Sequence, residues 1–308
     1  LIFNKAPYKN VIVLGHVQDE NGQKMSKSKI SRKNIASYPF IFWSALFIVI
    51  PLLIVLFFGF TVTTPDGSYT FSTENFLRLI QPQYIKVFQR SLWLALLSTF
   101  WCLILGYPVA YIISRMKPSK GNILIMLFIV PMWMNFLLRT YAWLPILGKN
   151  GFLNTLLGYL GFGPFNFLYN DGAVILGMIY NFLPFMVLPI YTVLTKIDTD
   201  LLNAASDLGA NQRQVFRKVV LPLSMPGVIS GVTMVFMPAV STFVISRLLG
   251  GGQYMLLGNL IEQQFTTMGD WNFGSSISIF MMAIILICMA VMSLFDTSEA
   301  KEGGGQLW

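Results

Sequence analysis

The stretch of this 308-residue chain with the most suggestive residue pattern runs from Asp198 to Gly227. It reads Asp198-Thr-Asp-Leu-Leu-Asn-Ala-Ala-Ser-Asp-Leu-Gly-Ala-Asn-Gln-Arg-Gln-Val-Phe-Arg-Lys-Val-Val-Leu-Pro-Leu-Ser-Met-Pro-Gly227. Leu201, Leu202, Ala205 and Leu208 recur at helical spacing and predict a short amphipathic helix. Asp198 and Asp200 stand at its start, where negative charge suits the helix dipole. Gly209 breaks the pattern as a helix C-terminal glycine does. A second helical run puts Val215, Phe216, Val219 and Val220 on one face and Arg213, Arg217 and Lys218 around the other. Pro222 and Pro226 are expected to punctuate entry into the next apolar segment. Physical chemistry leaves two uses open: a helix lying on a bilayer surface, or a docking helix for a partner protein.

Other chemistry-bearing residues are few. Cys102 and Cys288 lie in apolar runs, and His16 has no second histidine or nearby cysteine, so neither a disulfide framework nor a metal site is expected. No G-x-x-x-x-G-K-[ST] loop exists, and Gly250-Gly251-Gly252 lacks the following lysine, so the chain is not expected to hydrolyse a nucleotide. Arg139 falls inside an apolar segment, where a charge is a functional candidate by default. It can equally be a snorkelling anchor or a helix-packing hydrogen bonder. Asn135, Asn181 and Ser241 are candidates for a polar path, or for helix–helix hydrogen bonds. Asp171, Glu262 and Asp270 could draw cations electrostatically, or could be ordinary solvated loop charges.

These residues need elements to hold them, and composition says which. The chain is 55% hydrophobic and 11% charged, against about 25% charged for a soluble domain. Lipid must be its main solvent. Six segments are apolar over the roughly 20 residues a crossing needs: Phe40–Val62, Ser91–Ser114, Ile123–Leu147, Ala173–Leu194, Gly227–Leu249 and Ser275–Phe295. The expected fold is all-α, a polytopic bundle of six transmembrane helices. Proline inside these segments is tolerable because neighbouring helices and local adjustment satisfy the freed carbonyls. The loops after the first, third and fifth segments are long enough for short helices on the outer face.

Six crossings put both termini on one side. That side holds 15 of the 21 Lys and Arg residues, the other Arg78, Lys86, Arg90, Lys149 and Arg247. Without the first 29 residues the balance is 10 against 5. The basic side is therefore expected to be cytoplasmic. The net charge of +8 is read as contact with an anionic leaflet, with no nucleic-acid partner.

The pattern Ala204-Ala205, Leu208-Gly209-Ala210, Phe216, Leu221-Pro222 and Pro226-Gly227 resembles the "EAA" loop of bacterial ABC importer permeases. Asn203 stands where that family usually has glutamate, which puts in doubt any salt bridge from this position. The resemblance extends from about Tyr38 to Asp296. Val130-Pro-Met-Trp-Met-Asn-Phe-Leu-Leu-Arg-Thr-Tyr-Ala-Trp143, the run Ser241–Gly251 and Asp270-Trp271 are similar to spermidine/putrescine permeases of the first-subunit type. The resemblance implies the type I importer permease fold in a bacterial inner membrane. It implies a coupling loop comprising Asn203, Ala204, Ala205, Asp207, Leu208, Gly209, Ala210, Phe216, Leu221, Pro222, Pro226 and Gly227. The implied partners are cytoplasmic ATP-binding subunits, which hydrolyse the ATP, a second homologous permease and an extracytoplasmic substrate-binding protein. No cofactor is implied for this chain, and polyamines are the implied solute. Permeases for iron, phosphonate or sulfate share the loop. A stand-alone secondary transporter is a further alternative, although no internal repeat is visible.

Lys24-Met25-Ser26-Lys27-Ser28, with Ala6–Gln23 before it, resembles the KMSKS region of class I aminoacyl-tRNA synthetases of the isoleucine type. The nucleotide-binding fold and HIGH motif that such a loop needs are absent from the sequence, so no synthetase activity is expected. Residues 1–29 are read as a fused or misjoined fragment, loosely structured, followed by a permease domain over 30–298 and a cytoplasmic tail over 299–308. The first residue is Leu1 rather than Met, and the true beginning is expected to be missing or processed.

Overall fold

The computed structural model describes residues 38–252 and 255–303. The expectation for residues 1–29 lies outside them. Two compact units divide the chain, Leu1–Ile54 and Val55–Trp308.

In the first unit, α1 (Tyr38–Ser44) passes through a π-helical stretch (Ala45–Val49) into the start of α2 (Ile50–Gly59). Residues 41–54 bury nothing within the chain. Such an all-round apolar helix is stable only among lipid tails or other helices. The π stretch ends two residues before Pro51, and the same device recurs at Phe216–Val220 before Pro222. A proline ring collides with the carbonyl four residues back. Widening the preceding turn to i→i+5 bonding opens the space, so the helix continues through the proline.

The second unit has its core where α4 (Pro82–Ser114), α9 (Asp171–Leu194) and α12 (Leu221–Ser241) pack on one another. Ala95, Cys102, Met186, Val187, Val235 and Val240 are fully enclosed there. The long α15 (Trp271–Gly303) joins this core, with Phe280 meeting Phe88 of α4 edge-on at 4.7 Å. At Gly227 a Cβ would stand 3.0 Å from the Pro189 carbonyl oxygen and 3.1 Å from Ile190 Cα. Only glycine allows α12 and α9 to approach that closely.

Among the described residues five helices are long and apolar enough to cross a bilayer: Ile41–Gly59, Pro82–Ser114, Asp171–Leu194, Gln212–Ser241 and Trp271–Met292. A sixth crossing requires a pair of segments, Pro118–Trp133 and Phe136–Tyr159, bent by 99°. The expected straight span over 123–147 is therefore corrected. Helix α5 (Pro118–Ile129) tightens into a 3₁₀ turn around Pro131, and the chain is extended at Met134. Asn135 then caps a new helix, α6 (Phe136–Tyr141), followed by α7 (Trp143–Leu147) and α8 (Phe152–Tyr159). The fifth span is also shifted. It runs over 212–241, and α13 (Val244–Leu249) is a separate helix beyond a break at Thr242. The helix continues through Pro222 and Pro226 without a break.

The segments after the first, third and fifth apolar stretches hold short helices: α3 (Glu74–Leu79), α8 and α14 (Leu257–Gln263). They also hold a small antiparallel hairpin, β1 (Thr61–Thr63) with β2 (Tyr69–Phe71), paired Thr61 to Phe71 and Thr63 to Tyr69. The β-branched residues Thr61, Val62, Thr63 and Thr70 suit a strand.

Candidate functional site

The segment between the fourth and fifth spans folds as its sequence dictates. Helix α10 (Thr199–Asp207) begins at Asp198, whose carboxylate accepts the Asp200 N–H at 2.9 Å. It ends with Gly209 at φ 83°, the left-handed region that favours glycine. The Ala210 N–H donates to the Ala205 carbonyl at 3.1 Å and the Gly209 N–H to Ser206 at 2.9 Å. Those two bonds make a Schellman ending. Asn211 at once caps the next helix, α11 (Gln212–Val215), in a reciprocal box with Gln214. The turn between α10 and α11 is thus fixed at both ends by backbone bonding.

Leu202 is the buried anchor of α10. Asn203, Ala204, Asp207 and Leu208 point outward, and Leu208 is 89% exposed. Phe216 packs edge-on against Tyr107 at 5.9 Å and Tyr111 at 5.3 Å of α4. Below it the Tyr107 hydroxyl meets Ser224 at 2.8 Å. Ala205, Ala210 and Pro226 are half-buried, Leu221 and Pro222 are exposed, and Gly227 faces α9 deeper in the bundle. The candidate coupling residues therefore form a continuous chain from an exposed helix to the helix–helix core. Asn203 lines a groove of about 230 Å³ with Arg115, Tyr111, Ser206 and Gln212.

The four candidate path residues do not form one site. Arg139 and Asn181 come together: the Arg139 Nε donates to Asn181 Oδ1 at 2.9 Å, and Nη1 donates to the Pro131 carbonyl at 3.0 Å. Asn181 in turn donates to the Gly177 carbonyl at 2.8 Å and to Thr140 Oγ1 at 3.3 Å. Arg139 is 6% exposed, with the Tyr180 ring 5.9 Å away. Its contacts are those of a packing group that receives a carbonyl at the broken helix. No carboxylate pairs with it among the described residues. Asn135 is exposed and accepts the Leu137 and Leu138 N–H groups as an N-cap. Ser241 donates to the carbonyls of Met237 and Pro238 in its own helix.

The acids Asp171, Glu262 and Asp270 have definite partners that the sequence did not reveal. Asp270 pairs with Arg78 at 3.1 Å, Asp171 with Arg90 at 2.8 Å, and Glu262 with Arg247. Each is committed to an arginine. Sequence separation hid two of these pairs, whose members are 192 and 81 positions apart. The buried Asn154 was also missed. Its side chain donates to the Gly148 and Phe165 carbonyls and accepts the Phe165 N–H, which closes the loop after α8. Among the described residues no group of His, Cys, Asp and Glu could hold a metal ion.

A sequence profile described as "binding-protein-dependent transport system inner membrane component" matches residues 28–299. A second, for class I tRNA synthetases (I, L, M and V), matches residues 1–38. The spermidine/putrescine transport system permease protein PotB of Salmonella typhimurium is 38% identical over 267 residues, covering 85% of this chain and 91% of that protein. PotB of Escherichia coli K12 is 39% identical over 257 residues, covering 82% and 92%. Among solved structures, a chain of a bacterial ABC transporter that imports the acidic polysaccharide alginate superposes with a TM-score of 0.74. It shares 16% identity and is matched over 96% of its length and 86% of this chain, a likeness of fold alone.

Proposed function

Because this chain belongs to the family of binding-protein-dependent transport system inner membrane components, we propose that it is the permease subunit of an ABC importer for polyamines, putrescine and spermidine. It is a multi-pass inner-membrane protein. Its energy comes from ATP hydrolysed on a separate cytoplasmic subunit, and it works beside a second permease and an extracytoplasmic binding protein. Both termini lie in the cytoplasm, on the basic side.

The observation that carries the coupling role is α10. It is a short helix capped at both ends, anchored inward by Leu202 and presenting the exposed apolar side chain of Leu208. Such a body fits into a cleft on a partner and moves as a rigid unit when the partner closes. Through Phe216 and the continuous helix over 212–241, that movement reaches the interface of α12 with α9. The polyamine assignment rests on the similarity to the PotB permeases, which runs through both broken helices. Arg139 repels a cationic solute and serves as a support of the broken span, so a cation-binding carboxylate must come from elsewhere in the assembly.

The deciding experiment is uptake of labelled putrescine and spermidine by the reconstituted complex. ATP-dependent uptake of either is expected. Uptake of another solute with neither polyamine would refute the solute and leave the importer intact. Uptake without ATP or a partner ATPase would refute the importer. Residues 1–29 carry no synthetase function in this reading, and amino-acid-dependent ATP–pyrophosphate exchange by the purified chain would overturn that.

A further inference from the structure

At the inner end of the bundle, α4 and α9 finish and α5 and α10 begin around a cavity of about 600 Å³. This size lies within the roughly 300–1,000 Å³ of small-molecule sites. Three polar side chains in its wall have unused capacity. The Asn122 amide and the Tyr191 hydroxyl make no hydrogen bond among the described residues. The Arg115 guanidinium does no more than lie 5.2 Å from the Tyr111 ring. The Ser114 and Thr195 hydroxyls donate to backbone carbonyls and keep lone pairs for a ligand or water. No carboxylate lines the wall. Asp198, beside it in sequence, is occupied in capping α10.

The charges around the cavity sharpen the picture. On the outer face Arg78, Arg90 and Arg247 each have a carboxylate partner. On the inner face Arg115, Lys117, Lys120 and Lys196 have none among the described residues. All four line the cavity or flank residues that do. Ile113, Met116, Pro118, Leu194, Ile197 and Leu202 make the apolar part of the wall, beside Thr199. A ligand matched to it is anionic at one end and hydrocarbon at the other. The cavity lies where two apolar helices end, α4 at Ser114 and α9 at Leu194.

We propose that this cavity binds the phosphate headgroup of one anionic phospholipid from the inner leaflet, with Arg115 and Asn122 on the phosphate and the apolar wall along the glycerol and first methylenes. The inference rests on the cytoplasmic placement of this face. Basic pockets between helices on that side are suited to such lipids. Leu202, the anchor of α10, forms part of the wall, so the lipid braces the coupling helix from behind.

The test uses the intact complex purified in detergent and a photoreactive phosphatidylglycerol carrying its label near the glycerol. Peptide mapping is expected to place the label within residues 113–122 or 191–202, and Arg115→Gln is expected to lower it about fivefold, the effect of one basic charge near a membrane surface. Equal labelling by the phosphatidylcholine analogue, labelling elsewhere, or an unchanged Arg115→Gln complex would overturn the proposal. Displacement of the label by millimolar inorganic phosphate would make the site a phosphate site and not a lipid site. A crosslink from Ser119→Cys to the ATPase subunit that blocks lipid labelling would give the cavity to a protein partner. Because none of these readouts needs uptake, a failed solute assignment leaves the test intact. Accessibility of Ser119→Cys in sealed vesicles tests the orientation by itself.

Discussion

Replacing Gly209 tests whether the turn after α10 is a mechanical part or a passive connection. Its φ of 83° is in the left-handed region, and no atom lies within 4 Å of the position a Cβ would take. Any cost within the isolated chain is therefore a backbone cost. An L-residue held in this conformation loses about 1–2 kcal/mol, and a β-branched one loses more. At 1.4 kcal/mol for each tenfold, Gly209→Val reduces the correctly turned population about tenfold or further. Asparagine tolerates the conformation, so Gly209→Asn stays within about threefold of the parent. The assay is paired: co-purification with the ATPase subunit, and ATP-driven uptake by the reconstituted complex. Valine is expected to lower both together and asparagine to preserve both. Wild-type assembly and uptake by the valine variant would refute the docking role of 198–227. Equal loss with asparagine would show that the partner packs on this glycine, and that the backbone argument is wrong.

Three further outcomes follow from the same geometry. Arg139→Gln strips the Pro131 carbonyl and Asn181 Oδ1 of charged donors, at about 1.5–3 kcal/mol for each bond to a charged group. Thermal stability of the complex should fall, and a purely kinetic defect at unchanged stability would contradict the packing role. Asp171→Asn, Glu262→Gln and Asp270→Asn each break a pair that is exposed or partly exposed, worth about 0–1 kcal/mol. Uptake KM for putrescine should stay within about threefold in each, and a tenfold rise would return these acids to a substrate-attracting role. Asn154→Ala removes three hydrogen bonds at about 1 kcal/mol each, and limited proteolysis is expected to cut residues 148–165 selectively, whereas an unchanged digestion pattern would refute the staple.

The parts of this fold legible in the sequence were those governed by neighbours in sequence. The caps at Asp198 and Gly209, the exposed basic face of Arg213, Arg217 and Lys218, and four of the spans are consequences of local spacing and chemistry. The breaks were less legible. Hydropathy cannot distinguish a straight span from one bent at Asn135, because Trp133, Met134 and Phe136 are as apolar in either geometry. Pro131 gave no decision either, since Pro184 and Pro189 are carried inside a continuous α9. The end of the fifth span at Ser241 was hidden for the same reason, with Val244–Leu249 continuing the apolar run beyond the break. Pairing across long separations, as in Arg78 with Asp270, required the fold itself.

The prolines and the glycines of this chain do opposite mechanical work, and that difference bears on how force could travel through it. Pro222 follows a π-helical stretch and leaves the helix over 212–241 unbroken, so the inner segment and the membrane span are one rod. Gly227 then brings that rod against α9 at backbone distance, where contacts are many and compliance is low. At the far end the rod stops at Thr242, where an extended residue separates it from α13. The partner α9 reaches Arg139 through Asn181, on the other broken span. The π-helical stretch at 216–220 thus keeps its helix continuous, whereas the chain breaks at 134–135 and 242–243. In the proposed importer, closure of an ATPase on α10 would displace the inner half as a body and deform the chain at 134–135 and 242–243. These are the places where irregular backbone in a membrane protein is tolerated only against protein or a solvated path.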